Sequence, residues 1–403
     1  MININLLREN TEQIKKLLGK RGVSSNDLDK IIDLDSRKRL LMTEVQSLRE
    51  ERNKVSSVRP YNIDRAKEVK KQLRDKEHQL REIEEEFNKL FLCLPNIPLE
   101  DVPEGTDEKH NKIIEIIGKK PDFKFKVKDH LQLAKDDIDM KRAAKISGSR
   151  FVILKNDLAR LEFAIINMVL DLLDKYGFEP VIPPVMINSD SMKGSGHADT
   201  EEELEERYYL KKDDLFLVGT SEQSIAPMHA DETLNKPKRY MGFSTCFREE
   251  AGSYGKDTKG MFRLHQFDKI EMFSITSPDK SEEELKFLID MEKKIMNMLQ
   301  IPYRLVHLCA GDMSRPSAST YDIEGWFPSQ EKHRELMSAS TCTDFQARRL
   351  KIKFNNEIAH TLNATAVAIP RMLITLLENH QQQDGRVLIP KSLRKYLKKK
   401  YIF

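Results

Sequence analysis

The chain has 403 residues, of which 33% are charged and 39% hydrophobic, so it is long enough for two domains with at least one large core. Its formal net charge is only +3, so total charge gives no argument for nucleic-acid binding and only local charge patterns count. No stretch approaches the ~18 consecutive apolar residues of a membrane span, and the N-terminus lacks the apolar core of a signal peptide. We therefore predict a cytoplasmic protein with no membrane partner.

The region from about residue 29 to residue 94 predicts two long helices. It contains no glycine, its only proline is Pro60, and leucine, valine, isoleucine and phenylalanine recur at heptad spacing on both sides of that proline. Serine, proline and asparagine between Ser56 and Asp64 break the pattern. We predict an antiparallel two-helix coiled-coil arm within residues 1–95, with helices at about 29–57 and 64–94 and a tip near 56–63.

Charge is unevenly distributed along this predicted arm. The stretch from Arg49 to Lys76 contains ten Lys and Arg residues and five Asp and Glu residues. The stretch from Glu77 to Lys89 contains two Lys and Arg residues and five Asp and Glu residues. A positive tip on an acidic stem suits binding to a phosphate backbone. A solvated coiled-coil surface has similar composition, so charge alone leaves both interpretations open.

The rest of the chain predicts a connector and a second domain. Residues 96–150 are rich in proline, lysine and aspartate, which predicts a connector with little regular structure. From residue 151 onward an apolar helix (Leu158 to Gly177) is followed by short strands and further helices. Regular strand-helix-strand alternation is absent, so residues 151–403 predict an α+β domain with a mixed, mainly antiparallel sheet flanked by helices.

Two arginines are the strongest candidates for binding phosphate. Neither the Walker A pattern nor the Rossmann glycine pattern is present, so phosphates must meet side-chain cations. Arg248 opens the stretch FREEAGSYGKDTKGMFRLHQFDKIE, which also holds Phe267 and Glu271. Arg371 follows Pro370 at a predicted helix start, a place that favours anions. The arginine forks match phosphate oxygens, and Phe267 can stack on a purine, so this pattern predicts a nucleotide site.

These segments resemble the signature motifs of class II aminoacyl-tRNA synthetases, and most of all those of the seryl-tRNA synthetase family. The three motifs correspond to Leu158–Pro184, to the FREEAG stretch, and to LNATAVAIPRMLITLLENHQQQDGRVLIP. TYDIEGWFPSQ and TCTDFQARR between the second and third motifs also match the family pattern, and the predicted arm corresponds to its tRNA-binding arm. The resemblance covers essentially the whole chain.

The resemblance implies activation of L-serine with ATP to seryl-adenylate, and transfer of the seryl group to the 3′ end of tRNA(Ser). It makes Arg248, at the α-phosphate, and Arg371, at the γ-phosphate, the expected catalytic residues. Phe267 would stack on adenine and Glu250 would contact its edge. The full set of expected ATP-binding residues is Arg248, Glu249, Glu250, Phe267, Glu335, Leu336, Met337, Ser338 and Arg371.

The resemblance also implies a serine site and a metal site. Expected serine-binding residues are Thr220, Ser221, Glu222, Arg248, Glu271 and Thr365, with Glu271 and Thr365 at the substrate hydroxyl. Glu335 and Ser338 match the metal-binding positions, and oxygen ligands suit Mg²⁺. No zinc site is expected, because the four cysteines (Cys93, Cys246, Cys309 and Cys342) are widely spaced and include no CxxC pair.

The third motif departs from the family pattern while its charged residues remain. Thr365 stands where serine is usual, which narrows the pocket, and Ala364 and Ala366 stand where glycines are usual. The expected arginines and acids are all present, which favours an active enzyme working as a homodimer through the first motif. Two alternatives stay open: a ligase that charges a carrier protein without tRNA, and an inactive synthetase-like RNA-binding protein.

Overall fold

The computed structural model describes residues 1–57, 62–250 and 260–403, and the chain divides into two compact units, Asn3–Pro95 and Asn96–Phe403. The centre of the predicted arm tip, residues 58–61, and the polar turn at 251–259 lie outside the described residues. Among the helices of the described ranges, none is both long enough and apolar enough to cross a membrane.

The first unit consists of four helices, of which the last two form the arm. They are α1 (Ile4–Glu9), α2 (Thr11–Gly19), α3 (Ser25–Ser57) and α4 (Ile63–Phe91). Helices α3 and α4 run antiparallel. Two ion pairs show this direction: Lys30 pairs with Glu86 at one end, and Glu51 pairs with Arg65 near the other end. The predicted two-helix arm is therefore confirmed, although its helices extend over 25–57 and 63–91 rather than 29–57 and 64–94.

Apolar side chains at heptad spacing form the seam between α3 and α4. Lys38 extends its ammonium group over the Phe87 ring, 4.3 Å from the centroid, and so covers part of this seam. The surface ion pairs across the two helices are exposed and contribute only about 0–1 kcal/mol each. Burial of the seam is therefore the main stabilising term. The buried seam residues are Leu34, Leu41, Val45, Val69, Leu73, Ile83 and Phe87.

An eight-stranded sheet organises the second unit. Its strands, in spatial order, are β1 (Lys112–Ile117), β9 (Tyr303–His307), β10 (Ser319–Phe327), β11 (Lys332–Thr343), β14 (His360–Ala368), β8 (Gln266–Thr276), β7 (Lys238–Phe247) and β2 (Glu179–Val181). Strands β2 and β7 pair in parallel, and the other neighbouring pairs in this described sheet are antiparallel. This confirms the predicted mixed, mainly antiparallel sheet.

Short strands extend the second unit beyond the main sheet. The remaining strands are β3 (Met186–Asn188), β4 (Tyr209–Leu210), β5 (Leu215–Leu217), β6 (Thr233–Leu234), β12 (Lys353–Phe354), β13 (Glu357–Ile358), β15 (Val387–Leu388) and β16 (Tyr401–Ile402). They form two sheets of three strands and one of two.

Residues 96–150, predicted as a connector, belong to the second unit and carry regular structure. Strand β1 lies at the edge of the main sheet and pairs with β9, with Ile117 opposite Tyr303. The prediction of little regular structure is wrong for this strand, because an edge strand need not alternate between buried and exposed residues. Ile113, Ile114 and Ile116 lie among charged residues and are largely exposed, so the sequence shows no clear strand pattern here.

Ten α-helices belong to the described part of the second unit, and some of them pack against the sheet. They are α5 (His130–Ala134), α6 (Met140–Ser147), α7 (Asn156–Asp174), α8 (Ser189–Ser195), α9 (Glu201–Glu205), α10 (Glu222–Ile225), α11 (Ser281–Leu299), α12 (Phe345–Leu350), α13 (Ile369–Asn379) and α14 (Lys391–Leu397). Helix α11 packs against β14 and β11, and α13 packs against β10 and β8. The predicted apolar helix is α7, and the helix predicted to start near Arg371 is α13.

One buried carboxyl on α11 stands out in this core. Glu292 is fully buried, and within the described residues neither carboxylate oxygen has a hydrogen-bond partner. Burial raises the pKa of Glu292 well above its usual value, and the negative charges of Asp322 and Glu271 raise it further. The raised pKa favours the neutral form of Glu292 in the folded protein, and an unpaired polar group in a core is destabilising.

We predict that Glu292→Met stabilises the protein in a pH-dependent way. The folded-state pKa is raised, so the wild-type side chain loses stability as pH rises above the unfolded-state pKa of about 4.3. The variant does not have this loss. Its free energy of unfolding in urea should exceed that of the wild type by about 1–3 kcal/mol at pH 8, and by less at pH 5.

Glu283→Gln on the same helix is the control for this prediction, because the Glu283 side chain is 75% exposed. We expect it to leave stability and its pH dependence unchanged. A Glu292→Met variant less stable than the wild type at pH 8 would contradict this account of Glu292.

Candidate active site

The two arginines singled out in the sequence line one cleft. Arg248 follows the end of β7, and Arg371 lies in the first turn of α13, directly after Pro370. The cleft wall between them includes Phe262, Arg263 and other residues of the FREEAG stretch. Two guanidinium groups that are distant in the chain therefore face the same space.

Each guanidinium is oriented by its neighbours. Arg248 donates through Nε and Nη2 to the Gly219 carbonyl oxygen, both at 3.3 Å, and its Cζ lies 5.4 Å from the centroid of the Phe267 ring. Arg371 Nη1 lies 2.9 Å from Glu335 Oε1. A guanidinium has five N–H donors, so these contacts orient the group and leave donors for a phosphate.

A third guanidinium joins the same cleft. Arg263 lines it and forms an ion pair with Glu250, with 2.5 Å between Nη1 and Oε2. The wall of the cleft therefore holds three arginines, an arrangement suited to a polyphosphate.

Glu335 lies under the influence of these cations. Desolvation by the cleft walls acts to raise the pKa of its carboxyl group. The charges of Arg371, Arg248 and Arg263 more than offset this, so the pKa of Glu335 lies below its usual value and the group is ionised.

A polar recess lies beside the arginines at the centre of the sheet. Thr365 on β14 is directly opposite Glu271 on β8, and its hydroxyl lies 3.4 Å from Glu271 Oε2. Lys269, two residues before Glu271 and on the same face of β8, forms a buried ion pair with it. Burial raises the pKa of Glu271, and Lys269 opposes this effect.

The Thr-Ser-Glu triplet forms another wall of the site. Thr220 lines the space next to Arg248, and its buried hydroxyl has no hydrogen-bond partner within the described residues. The Ser221 hydroxyl donates to the Gly242 carbonyl oxygen at 3.0 Å and so points away into the protein. Glu222 is buried among donors.

The Glu222 carboxylate is held by a network. Gln346 Nε2 donates to Glu222 Oε1 at 2.6 Å, Asn363 Nδ2 donates to the same oxygen at 3.2 Å, and His197 Nε2 lies 3.7 Å away. Burial acts to raise the pKa of Glu222, but His197 and Gln346 outweigh burial and lower it. Glu222 is therefore a fixed negative charge at the base of the site.

The remaining expected ATP-binding residues lie in different places. Leu336 lines the cleft, and Ser338 lines an adjoining recess together with Glu335 and Arg371. Met337 is fully buried in the hydrophobic core, so its side chain does not reach the cleft. Glu249 has an exposed side chain outside the cleft lining, and its backbone N–H donates to the Glu206 carbonyl oxygen at 3.2 Å.

Comparison with known proteins identifies the family. The family described as the tRNA synthetase class II core domain (G, H, P, S and T) matches residues 203–380, and the seryl-tRNA synthetase N-terminal domain matches residues 1–98. A serine–tRNA ligase from Syntrophotalea carbinolica is 38% identical, with 98% of each chain covered.

Solved structures agree. Seryl-tRNA synthetase from Pyrococcus horikoshii, complexed with ATP, has a TM-score of 0.92 and 38% identity, covering 100% of this chain and 99% of that one. Cytoplasmic serine–tRNA ligase from Naegleria fowleri, in complex with AMP, has a TM-score of 0.89 and 31% identity, covering 100% and 98%. The chain belongs to the seryl-tRNA synthetase family.

The structure explains two departures from the motifs of the seryl-tRNA synthetase family. Ala364 and Ala366 are fully buried in the hydrophobic core cluster, whereas Thr365 between them lines the cleft. Strand alternation turns the Ala364 methyl group into the core, and Ala366, which lies at a shift of the β14–β8 register, is buried there as well. The added methyl groups lie away from the site, and only the Thr365 methyl narrows it.

Several cleft residues were missed in the sequence. Lys269 and Arg263 lie within the quoted FRLHQFDKIE stretch. Phe267, Lys269 and Glu271 alternate along one strand, and this pattern could have placed Lys269 on the same face as the two expected site residues. His197 and Gln346 lie far from the motifs they support, so no local pattern indicated their contact with Glu222.

Oxygen donors for a cation lie on the adjacent strands β10 and β11. Asp322 is paired with Ser338 across these strands, and its Oδ1 is buried without a hydrogen-bond partner in the described ranges. Within those ranges no three His, Cys, Asp or Glu side chains are grouped closely enough to hold a metal ion. A divalent ion at this place therefore needs further oxygen ligands, such as those of a nucleotide.

We predict that Lys269→Met destabilises the protein more than removal of the whole ion pair. The single variant leaves the buried Glu271 carboxylate without its cation, which costs about 3–5 kcal/mol. In Lys269→Met/Glu271→Met neither charge of this ion pair remains, so most of the lost stability should return in urea unfolding. A double variant less stable than the single one would contradict this electrostatic account.

Proposed function

We propose that the protein activates L-serine with ATP and transfers the seryl group to tRNA(Ser). Convergence of Arg248 and Arg371 on one cleft, next to the Glu271–Thr365 recess, is the observation that carries this proposal. Membership of the seryl-tRNA synthetase family supports the same reaction. The P. horikoshii relative was crystallised with ATP, and ATP fits the three-arginine cleft.

In the first step, a serine carboxylate oxygen attacks the α-phosphorus of ATP. A bond forms between these atoms, the bond from the α-phosphorus to the bridging oxygen breaks, and pyrophosphate leaves with the electron pair. The attacking group comes from the substrate, so the protein supplies position and charge rather than a nucleophile. We assign Arg248 to the α-phosphate, where negative charge spreads in the transition state, and Arg371 to the γ-phosphate.

Adenine fits the aromatic side of the cleft in this proposal. Phe267 stacks on the base, beneath the Arg248 guanidinium that already lies 5.4 Å from its ring. Glu250, fixed by Arg263, meets the edge of the base. Arg263 then adds a third positive charge near the phosphates.

Serine fits the polar recess. The Glu271 carboxylate and the Thr365 hydroxyl form hydrogen bonds with the substrate hydroxyl. The ionised Glu222 lies near the substrate ammonium group, together with the Thr220 hydroxyl, which has no hydrogen-bond partner within the described residues. Alanine lacks this hydroxyl, so it leaves buried polar groups unpaired and is rejected strongly. Threonine is excluded by size, which the Thr365 methyl reinforces.

Magnesium is the proposed cation. Glu335 and Ser338 would hold it, and the Asp322 Oδ1 atom, which has no hydrogen-bond partner within the described residues and lies beside Ser338, supports an oxygen donor set, which Mg²⁺ prefers. Bound there, the ion would neutralise phosphate charge. The ion pair with Arg371 orients the Glu335 carboxylate.

We further propose a cytoplasmic homodimer whose arm binds tRNA. The α7 side chain Phe163 is 63% exposed and Ile182, just after β2, is 83% exposed, which supports the first motif as the subunit interface. The basic part of the arm suits phosphate-backbone contacts that read the shape of tRNA rather than its base sequence.

We predict serine-dependent exchange of pyrophosphate into ATP. The exchange should favour serine over alanine by about 10⁴-fold in kcat/KM, because the recess pairs the hydroxyl. Threonine and glycine serve as further comparisons. Exchange that other amino acids support and serine does not would contradict the proposal. Serine-dependent exchange without any tRNA charging would favour the carrier-protein ligase.

We predict that Arg248→Ala lowers the rate of adenylate formation by about 10³-fold or more, since it removes charge stabilisation at the α-phosphate. The matched control is Arg74→Ala, an exposed arginine on α4 of the arm, which should leave adenylation unchanged. Adenylation at the wild-type rate in Arg248→Ala would refute the role assigned to Arg248.

We predict that an armless variant separates the two steps. Residues 34–90 are replaced by a short glycine linker, because Lys30 pairs with Glu86 and the two cut points therefore lie close together. Serine-dependent exchange should persist, since the cleft lies within the second unit, whereas tRNA charging should be lost. Normal charging by this variant would show that the arm does not bind tRNA.

A further inference from the structure

A row of lysines outside the cleft has no role in the chemistry described so far. From residue 119 to residue 128 the chain carries five lysines and one aspartate, a net +4 in ten residues, which exceeds the +3 of the whole chain. Four of these residues, here called the lysine row, alternate with half-buried neighbours and are all exposed. The row consists of Lys120, Lys124, Lys126 and Lys128.

Two aromatic residues of this segment are partly buried and contact each other. Phe123 and Phe125 lie between the exposed lysines, half-buried, with their ring centroids 5.0 Å apart. Alternation therefore turns the aromatic rings inward and the lysines outward. Successive members of the row from Lys124 to Lys128 are two residues apart, so their Cα atoms are at most about 7 Å apart.

Both ends of the row are anchored. Lys120 Nζ lies 3.7 Å from the centroid of the Trp326 ring. At the other end, the Lys128 backbone N–H donates to Gln381 Oε1 at 2.9 Å, and its carbonyl oxygen accepts from Gln381 Nε2 at 3.1 Å. The charges are therefore presented by a fixed segment, which lowers the entropy cost of contacting a partner.

The row leads toward the reaction cleft. The ring of Trp326, under Lys120, packs edge-on against His333 with centroids 5.1 Å apart. His333 lines the recess that also holds Glu335 and Arg371. Burial first, and then the charges of Arg304 and Lys120, lower the pKa of His333 to about 4, so the charge of Lys120 acts on a residue that lines this recess.

We propose that the lysine row is a binding surface for the RNA phosphate backbone and holds the acceptor stem of tRNA while the 3′ end reaches the cleft. This inference rests on the proposed function. Lysine is a flexible point charge without the flat fork of arginine, so a series of exposed lysines, of which Lys124 also pairs with Asp122, suits backbone contacts that carry no sequence information. The recess beside His333 joins the row to Arg371, which gives the single-stranded end a path to the adenylate.

The test is Lys124→Gln/Lys126→Gln/Lys128→Gln in the full chain, which leaves the Lys120–Trp326 contact intact. Binding is measured by fluorescence anisotropy with labelled tRNA(Ser) and with a hairpin of its acceptor stem and 3′ end, at several salt concentrations. Each lost phosphate contact lowers the steepness of log Kd against log salt by about 0.7–0.9. We expect a decrease of about 2 to 3 for both RNAs, with weaker binding at low salt.

The matched control is Lys280→Gln/Lys286→Gln/Lys351→Gln, which removes the same charge from exposed lysines elsewhere on the second unit. We expect it to bind both RNAs with the wild-type salt dependence. Serine-dependent pyrophosphate exchange should be unchanged in both triple variants, because neither alters a cleft residue.

The outcomes separate this inference from the proposed function. If the wild type shows no serine-dependent exchange, the proposed function fails. If exchange is normal but the lysine-row variant binds both RNAs with the wild-type Kd and salt dependence, the lysine row is not an RNA surface. An equal loss of binding in the control triple variant would also overturn the proposal, because only total charge would then matter.

Discussion

The register between β8 and β14 is the constraint on which the candidate site depends. It places Thr365 opposite Glu271, and alternation along β8 then puts Lys269 and Phe267 on the face of Glu271. A slip of one residue would turn Lys269 and Glu271 into the core and Met272 toward the cleft, at the cost of two buried charges. Strand β7, which pairs with β8, ends just before Arg248, and β14 leads directly into α13 with Arg371. The register of these three strands therefore positions both substrate recesses.

Charged carboxylates are concentrated at this site, two of them buried (Glu271 and Glu222) and one exposed (Glu335), and each is stabilised differently. Glu271 has a cation, Glu222 has a network of neutral and ring donors, and Glu335 has the arginines that a triphosphate would engage. Glu292 differs from these three carboxylates, because within the described residues its oxygens have no hydrogen-bond partner. Its raised pKa favours the neutral form. A site built from fixed dipoles and charges needs little reorganisation during the reaction, and the stability lost to their burial is offset by the apolar core around the sheet.

The two compact units suit two kinds of recognition. The second unit holds the enclosed polar recesses that distinguish small molecules by hydrogen bonding. The arm has a narrow apolar seam and exposed charges, so it offers a long charged surface. The proposed lysine row adds a basic surface on the second unit, and RNA held there and on the arm would gain affinity from simultaneous contacts without any deep site.

The sequence by itself determined the arm, the sheet class and the family, because heptad spacing and the motif residues are local patterns that survive without knowledge of the fold. The motifs also identified Arg248, Glu271, Thr365 and Arg371. Only the tertiary structure decided that residues 96–150 contribute the edge strand β1 and that the Met337 and Glu249 side chains do not line the cleft. It also decided that Arg263, Lys269 and His197 line the site and that Gln346 supports Glu222 from behind it. These decisions depend on strand register and on contacts between residues more than a hundred positions apart, such as Gln346 with Glu222, and periodicity along a single chain carries no information about them.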